Sequence, residues 1–283
     1  MLWQLKTRTI PLGARPLLMG IVNVTPDSFS DGGQFLTPNS AVAQALKLLD
    51  DGADLLDLGG ESTRPNAQPI TPAEEQARVL PVLTAILQSR PDTIVSVDTY
   101  HAGTARAAVA AGAQMINDVS GLQWDPRMAG TLAELEPGAI LMHTRGRPTE
   151  WRTLPPLAPQ DVMPLVLNGL RQTLAQAAAA GIPRETIVLD PGFGFGKLGP
   201  DNFILLHHLA DLHQLGFPLL AGLSRKRFLT AHLVNPTPAE RLEATTAANL
   251  ACLRAGAHIL RIHEIPEQLR AAANRPGDAP WPS

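Results

Sequence analysis

A single cysteine, Cys252, rules out a disulfide framework within one chain, and its place in the helical run Ala247 to Ala255 reads as a small buried apolar residue. Tyrosine also occurs once and aromatics make up only 4% of the residues, so a core must be assembled mostly from Leu, Ile, Val and Ala. No segment approaches the roughly 20 consecutive apolar residues of a membrane span, and the opening MLWQLKTRTIPLG holds no apolar stretch of signal length. A cytoplasmic protein without membrane contact is the expectation. Lys/Arg-rich blocks interleaved with aromatics are missing as well, and the formal net charge is −3. That excludes a nucleic-acid backbone as partner but leaves a small anion open, because a few local donors decide such binding. No HxxxH or CxxC spacing occurs, which argues against zinc.

What is present is an alternation. Apolar, strand-like runs fall at Leu17 to Val24, Asp54 to Leu58, Thr93 to Val97, Gln114 to Val119, Ala139 to His143, Thr186 to Asp190, Pro218 to Gly222 and His258 to His263. Each is short and nearly continuous, as parallel strands covered on both faces are. Helical patterns follow at Asn39 to Asp50, Pro72 to Leu87, Gly103 to Ala111, Pro126 to Leu135, Asp161 to Ala180, Asn202 to Leu215, Pro238 to Arg254 and, shorter, Pro266 to Ala273. Thr71-Pro72 with Glu74, and Thr237-Pro238 with Glu240, have the chemistry of helix starts. Glycines at 52, 112, 138, 181 and 256 precede the next strand and suit a recurring helix-to-strand turn. Eight evenly spread units favour closure into a (β/α)₈ TIM barrel over an open doubly wound sheet, and no GxGxxG turn supports a Rossmann reading. One α/β domain over 1–283 is expected, with a short extension before the first barrel strand at about 17. The Pro-rich stretch Thr153 to Pro159 then becomes a surface loop of that barrel.

Polar residues interrupt these runs at their C-terminal ends, the face on which barrel active sites are built. They are Asn23, Asp57, Asp98, Asn117 with Asp118, His143, Asp190, Ser224 with Lys226, and Arg261 with His263. Any one has a bland reading as a cap or loop contact, and for Asp57, followed by Gly59 and Gly60, that reading has as much claim as a functional one. Together they predict a polar pocket over an apolar barrel core. Carboxylates at 98 and 190, the amide of Asn117 and the ammonium of Lys226 match the edge of a heterocycle resembling 2-amino-4-oxopteridine. Arg261 and His263, two apart on the last strand, share a face and suit an anion. Asn23 offers a hard oxygen for Mg²⁺ held together with a diphosphate. In Asp190-Pro191-Gly192-Phe193-Gly194-Phe195-Gly196-Lys197 the GxxxxGK[ST] spacing is missing, so a nucleotide loop is set aside. Its glycines allow close approach to a flat ligand with Phe195 as stacking surface, while Phe193 has an equal reading as core.

Eight segments in order, MGIVNVTPDSFSDGG at 19–33, DLGGESTRP at 57–65, SVDTY at 96–100, INDVSG at 116–121, LMHTRGRP at 141–148, DPGFGFGK at 190–197, GLSRKRF at 222–228 and RIHE at 261–264, resemble the dihydropteroate synthase family over nearly the whole chain. The resemblance implies condensation of 6-hydroxymethyl-7,8-dihydropterin diphosphate with 4-aminobenzoate, using Mg²⁺. It implies that Asp98, Asn117, Asp190 and Lys226 hold the pterin with Phe195 beside them, and that Asn23, Arg261 and His263 form the diphosphate and Mg²⁺ set. Thr63, Arg64 and the loop of Asp27 become closing elements, and the aminobenzoate carboxylate is left to Ser62, Ser224 or a nearby helix N-terminus. The catalytic set is then Asp98, Lys226, Arg261, His263 and Asp27, and a homodimer is expected on the same ground. Thr144, Asn66 and Glu264 depart from common family residues and bear on loop shape. The alternatives are a pterin-dependent methyltransferase with a corrinoid partner, which needs little diphosphate machinery, and a non-catalytic pterin-binding protein.

Overall fold

The computed structural model describes residues 1–24, 38–62, 68–151 and 153–268. Two short strands, β1 (Leu2–Gln4) and β2 (Thr9–Pro11), pair as an antiparallel hairpin ahead of eight parallel strands. These are β3 (Leu17–Asn23), β4 (Leu55–Gly59), β5 (Val95–Asp98), β6 (Met115–Asp118), β7 (Gly138–Met142), β8 (Ile187–Asp190), β9 (Leu220–Ala221) and β10 (Ile259–Ile262). Their order is β8-β7-β6-β5-β4-β3-β10-β9, and a parallel bridge between Leu189 and Leu219 brings the two ends together. The eight apolar runs thus close into a TIM barrel. Among the described residues no helix is long and apolar enough to cross a membrane.

The connecting helices are α1 (Pro38–Asp50), α2 (Pro72–Ser89), α3 (Ala102–Ala110), α4 (Met128–Leu135), α5 (Val162–Ala180), α6 (Gly199–His207) and α7 (Pro238–Arg254). α2 and α7 begin as their sequences dictate. Thr71 accepts from the Glu74 N–H and Glu74 accepts from the Thr71 N–H, and Thr237 and Glu240 repeat the exchange. The sixth helical pattern divides into α6 and a 3-10 segment over Leu209–Leu215. α6 starts three residues before the expected Asn202, because Pro200 fits its first turn and Asp201 accepts from the Leu198 N–H at 2.9 Å. The helix pattern expected over 266–273 is described only to residue 268.

Alternation along the strands divides the core into two. Leu18, Val22, Leu56, Leu58, Val95, Val97, Ile116, Leu141, Leu189 and Leu260 point outward and pack against the helices. Leu17, Met19, Leu55, Met115, Ile140, Val188, Leu220 and Ile259 have the opposite parity and fill the lower barrel. The hairpin, which the sequence reading does not anticipate, plugs this end. Trp3 is fully buried there, and its indole N–H donates to the Thr186 carbonyl at 2.8 Å, 183 residues away. This plug crowds the glycine that opens β7. Gly52, Gly112, Gly181 and Gly256 adopt positive φ in the expected turns, but before β7 it is Glu136 that does so. Gly138 is instead demanded by space, since a β-carbon there would stand 2.5 Å from Leu5 and 2.9 Å from Met115.

Candidate active site

Most of the side chains at the next inward positions up the barrel are polar, and register sets them side by side. Asn23 on β3 pairs with Gly59 on β4, Gly59 with Asp98 on β5, and Asp98 with Asn117 on β6. One step lower on β4, Asp57 also faces in. Met142 on β7 lies beside Asp190 on β8, and Arg261 on β10 completes the ring. Two inward positions carry no side chain. A β-carbon on Gly59 would sit 3.7 Å from Asn23 Oδ1 and 3.7 Å from Asp98 Cβ, and one on Gly222 would sit 3.9 Å from Asp190 Oδ2. These glycines keep the mouth open where any other residue would reach into it.

Arg261 is the centre of the floor. Its Nε donates to Asp57 Oδ2 at 2.6 Å and its Nη2 to Asp98 Oδ2 at 2.9 Å. Burial works against the guanidinium charge, yet Asp57 and Asp98 hold Arg261 above the ordinary arginine value. One cation cannot fully offset two carboxylates. Burial pushes Asp98 up to about 8 against the pull of Arg261, with the charges of Asp57, Glu75 and Asp118 adding to the rise. Asp190 is raised by burial to about 6, while the Gly192 N–H donated to it at 2.7 Å and the charges of Lys226, Arg261 and Lys197 lower it.

Lys226 stands at the other wall, its Nζ 4.2 Å from the centroid of the Phe195 ring. Burial lowers it to about 8, against the attraction of Asp190. Phe195 is also met edge-on by Trp151 at 5.2 Å between centroids. Phe193, whose role the sequence leaves open, is 1% exposed and belongs to the core. Gly192 to Lys197 curls around the Lys197 ammonium, which donates to the carbonyls of Gly192 at 2.7 Å, Phe195 at 3.2 Å and His143 at 3.4 Å. Burial draws Lys197 down to about 7 despite Asp190. Lys197 is not among the residues expected at the site; its signal is a lysine at the end of a glycine-rich loop whose carbonyls lack strand partners.

The remaining expected residues divide. Ser224 accepts from the His263 N–H at 3.3 Å and lies 2.9 Å from His263 Nδ1, so the two form one unit at the end of β10. Ser62 is half-buried beyond β4. Asp118 and His143, both at strand ends, face away from the pocket. Asp118 receives the Ser120 and Leu122 N–H groups at 2.8 and 2.7 Å, and the His143 ring packs where a β-carbon on Gly169 of α5 would stand, with burial holding it well below the usual imidazole range. Asp27, Thr63, Arg64 and Asn66 lie outside the described residues. Thr144 donates to the Gly146 carbonyl at 3.0 Å, and Glu264 accepts from Arg225 Nε at 2.7 Å. Both departures from common family residues are therefore satisfied locally. Asp57, for which a turn role had equal claim, belongs to the floor, where it also accepts from Asn117 Nδ2 at 2.9 Å. Its parity with Leu55 is the signal that it faces inward.

Comparison with known proteins agrees with this geometry. The pattern of the family described as pterin binding enzymes matches residues 19–263. The dihydropteroate synthase of Bacillus subtilis is 41% identical over 258 residues, which span 91% of this chain and 87% of that protein. The structure of Xanthomonas albilineans dihydropteroate synthase with 4-aminobenzoic acid superposes with a TM-score of 0.85 at 44% identity, covering 94% of this chain and 93% of that one. The same enzyme in complex with 7,8-dihydropteroate gives 0.83 at 40% identity, covering 96% and 97%. A floor of paired carboxylates and an amide beneath an aromatic-flanked lysine, on a barrel matched almost end to end, identifies the chain as a member of the pterin-binding enzymes and, among them, of the dihydropteroate synthases.

Proposed function

We propose that this chain joins 6-hydroxymethyl-7,8-dihydropterin diphosphate to 4-aminobenzoate, forming 7,8-dihydropteroate and releasing diphosphate. The observation that carries the reading is the inward ring of Asp98, Asn117, Asp190, Lys226 and Arg261 above the apolar lower barrel, with Gly59 and Gly222 leaving room for a flat ring. Asp190 accepts from the N–H edge of the pterin, and Lys226 donates to its carbonyl or ring nitrogen. Aminobenzoate approaches along the face shared by Lys226 and Phe195.

Bond breaking at the methylene carbon leaves positive charge on the reduced ring and negative charge on diphosphate. Asp98 sits where the first is stabilised on losing its proton, while Arg261, His263 and Lys226 stabilise the second. Because Nε and Nη2 of Arg261 are engaged by Asp57 and Asp98, Arg261 links ring and leaving group instead of serving diphosphate alone. The arylamine nucleophile is uncharged at neutral pH and needs no strong base. Mg²⁺ would be held by the Asn23 oxygen together with the diphosphate oxygens, because a metal shared with a polyanion needs few protein ligands. When bound it supplies charge neutralisation to the leaving group. A cytoplasmic homodimer completes the proposal, with the exposed Leu198, just before α6, and Phe203 on α6 as the contact.

The test is an assay for dihydropteroate and diphosphate with each substrate omitted in turn. Product that requires both supports the reading, and methyl transfer without condensation refutes it. An unchanged rate after chelation removes Mg²⁺ from the scheme, and a sedimenting monomer at micromolar concentration removes the dimer.

A further inference from the structure

We propose that Asp57 is a positioning residue that fixes the polarity of the pterin site, locking the Asn117 amide with its nitrogen toward the barrel floor and its oxygen toward the ligand. The inference rests on the pterin reading above and concerns how that site tells one heterocycle edge from another. Asp57 is fully buried and Asn117 is 2% exposed, so neither exchanges freely with water. Asp57 Oδ2 receives both Arg261 Nε at 2.6 Å and Asn117 Nδ2 at 2.9 Å.

Oδ2 of Asp57 is already an acceptor for Arg261 Nε, whereas an amide has a donor end and an acceptor end. Asn117 can therefore meet Asp57 only through Nδ2. Turning the amide over would press two buried acceptors together and abandon the bond, which is costly away from water. The outcome is visible at the other end: Asn117 Oδ1 is buried and has no hydrogen-bond partner among the described residues. It is an acceptor held ready for an N–H. A heterocycle with an amino group or ring N–H on its edge satisfies it, and one with a carbonyl at that place sets oxygen against oxygen. Asp57 thereby selects a 2-aminopyrimidinone edge without touching it.

Arg261 makes the arrangement testable. Because Nε of Arg261 points at the same Oδ2, an acceptor must occupy that spot, and in Asp57→Asn the amide oxygen takes it and still receives both donors. Asp57→Ala removes the acceptor and lets Asn117 turn over. The experiment is equilibrium binding of two diphosphate-free ligands, 6-hydroxymethylpterin and its 2-oxo counterpart, 6-hydroxymethyllumazine, to the full chain and its variants, with folding checked by circular dichroism. Wild type should prefer the pterin. In Asp57→Ala that preference should fall by about ten-fold, the loss of one buried polar match, while in Asp57→Asn it stays close to wild type. Asp57→Ser, too short to reach Asn117, should behave as Ala does and stands in for it if the Ala protein does not fold. A purely structural role would weaken both ligands by the same factor and leave their ratio untouched. That result overturns the proposal, as does Asp57→Asn losing the preference as completely as Ala. Wild type binding neither ligand would instead refute the pterin reading itself.

Discussion

Replacing Arg261 by Ala removes a cation that donates to both floor carboxylates, Asp57 and Asp98. Asp57 is inaccessible and the Asp98 side chain is 15% exposed, so neither can recruit full hydration in compensation. Breaking a buried pair by deleting one partner costs about 3 to 5 kcal/mol, because a charge is left without a counterion. Asp98, already raised to about 8, relieves part of this by keeping its proton. The lower end is therefore expected, about 3 kcal/mol, or a fall in midpoint on the order of 6 to 12 °C for a domain of this size. The sign with pH follows from the same charges. Without Arg261 the carboxyl of Asp98 ionises less readily, so the variant binds more protons when folded than wild type does, and its deficit grows as pH rises from about 6 to 8.5. Thermal unfolding followed by fluorescence at both pH values measures this. Arg106→Ala, which opens the exposed Arg106 to Glu134 pair, is the control and should leave the midpoint essentially unchanged. Affinity for a diphosphate-free pterin should fall alongside that for the diphosphate substrate, since Arg261 orients Asp98. A midpoint equal to wild type at pH 8.5, with only diphosphate-substrate affinity affected, would show that the floor pairing carries no weight.

Titration of the site gives two further signs. The folded pKa of Asp98, about 8, lies above that of an unfolded carboxylate, so its contribution is present in acid and lost as pH rises through 8. Denaturant titrations should therefore show Asp98→Asn gaining on wild type between about pH 5 and 9, and a constant difference would contradict the raised value. Lys226, lowered to about 8, contributes stability above the unfolded lysine value and loses it as pH falls through 8, so Lys226→Met should gain on wild type from about pH 10 down to 7. Lys197→Met should unfasten three loop carbonyls and raise KM for aminobenzoate through displacement of Phe195. Equal kinetics in that variant would leave Lys197 without a role in the site. Trp3→Ala should lower stability by about 3 to 5 kcal/mol with both KM values unchanged, because the plug lies at the opposite end of the barrel from the mouth.

The barrel and its active face are legible in the order of residues alone. Continuous apolar runs separated by helical periodicity leave few ways to cover both faces of a parallel sheet, and polar residues at the ends of those runs mark the mouth. Alternation within a strand was equally legible, since Leu55 and Asp57, or Asn117 and Met115, share a side whatever the sheet does. What no local pattern carries is which strand end meets which across the barrel. Arg261 finds Asp57 and Asp98 at sequence separations of 204 and 163 residues, and only closure of the barrel brings them within hydrogen-bonding reach. The same holds for Trp3 beneath the barrel and for Lys197 inside its loop: their partners are backbone carbonyls, which every residue has, so side-chain chemistry alone names none of them. His143 and Asp118 show the converse. They stand at the right ends of their strands, but parity in the assembled barrel turns them outward, to the helix layer and the turn they stabilise.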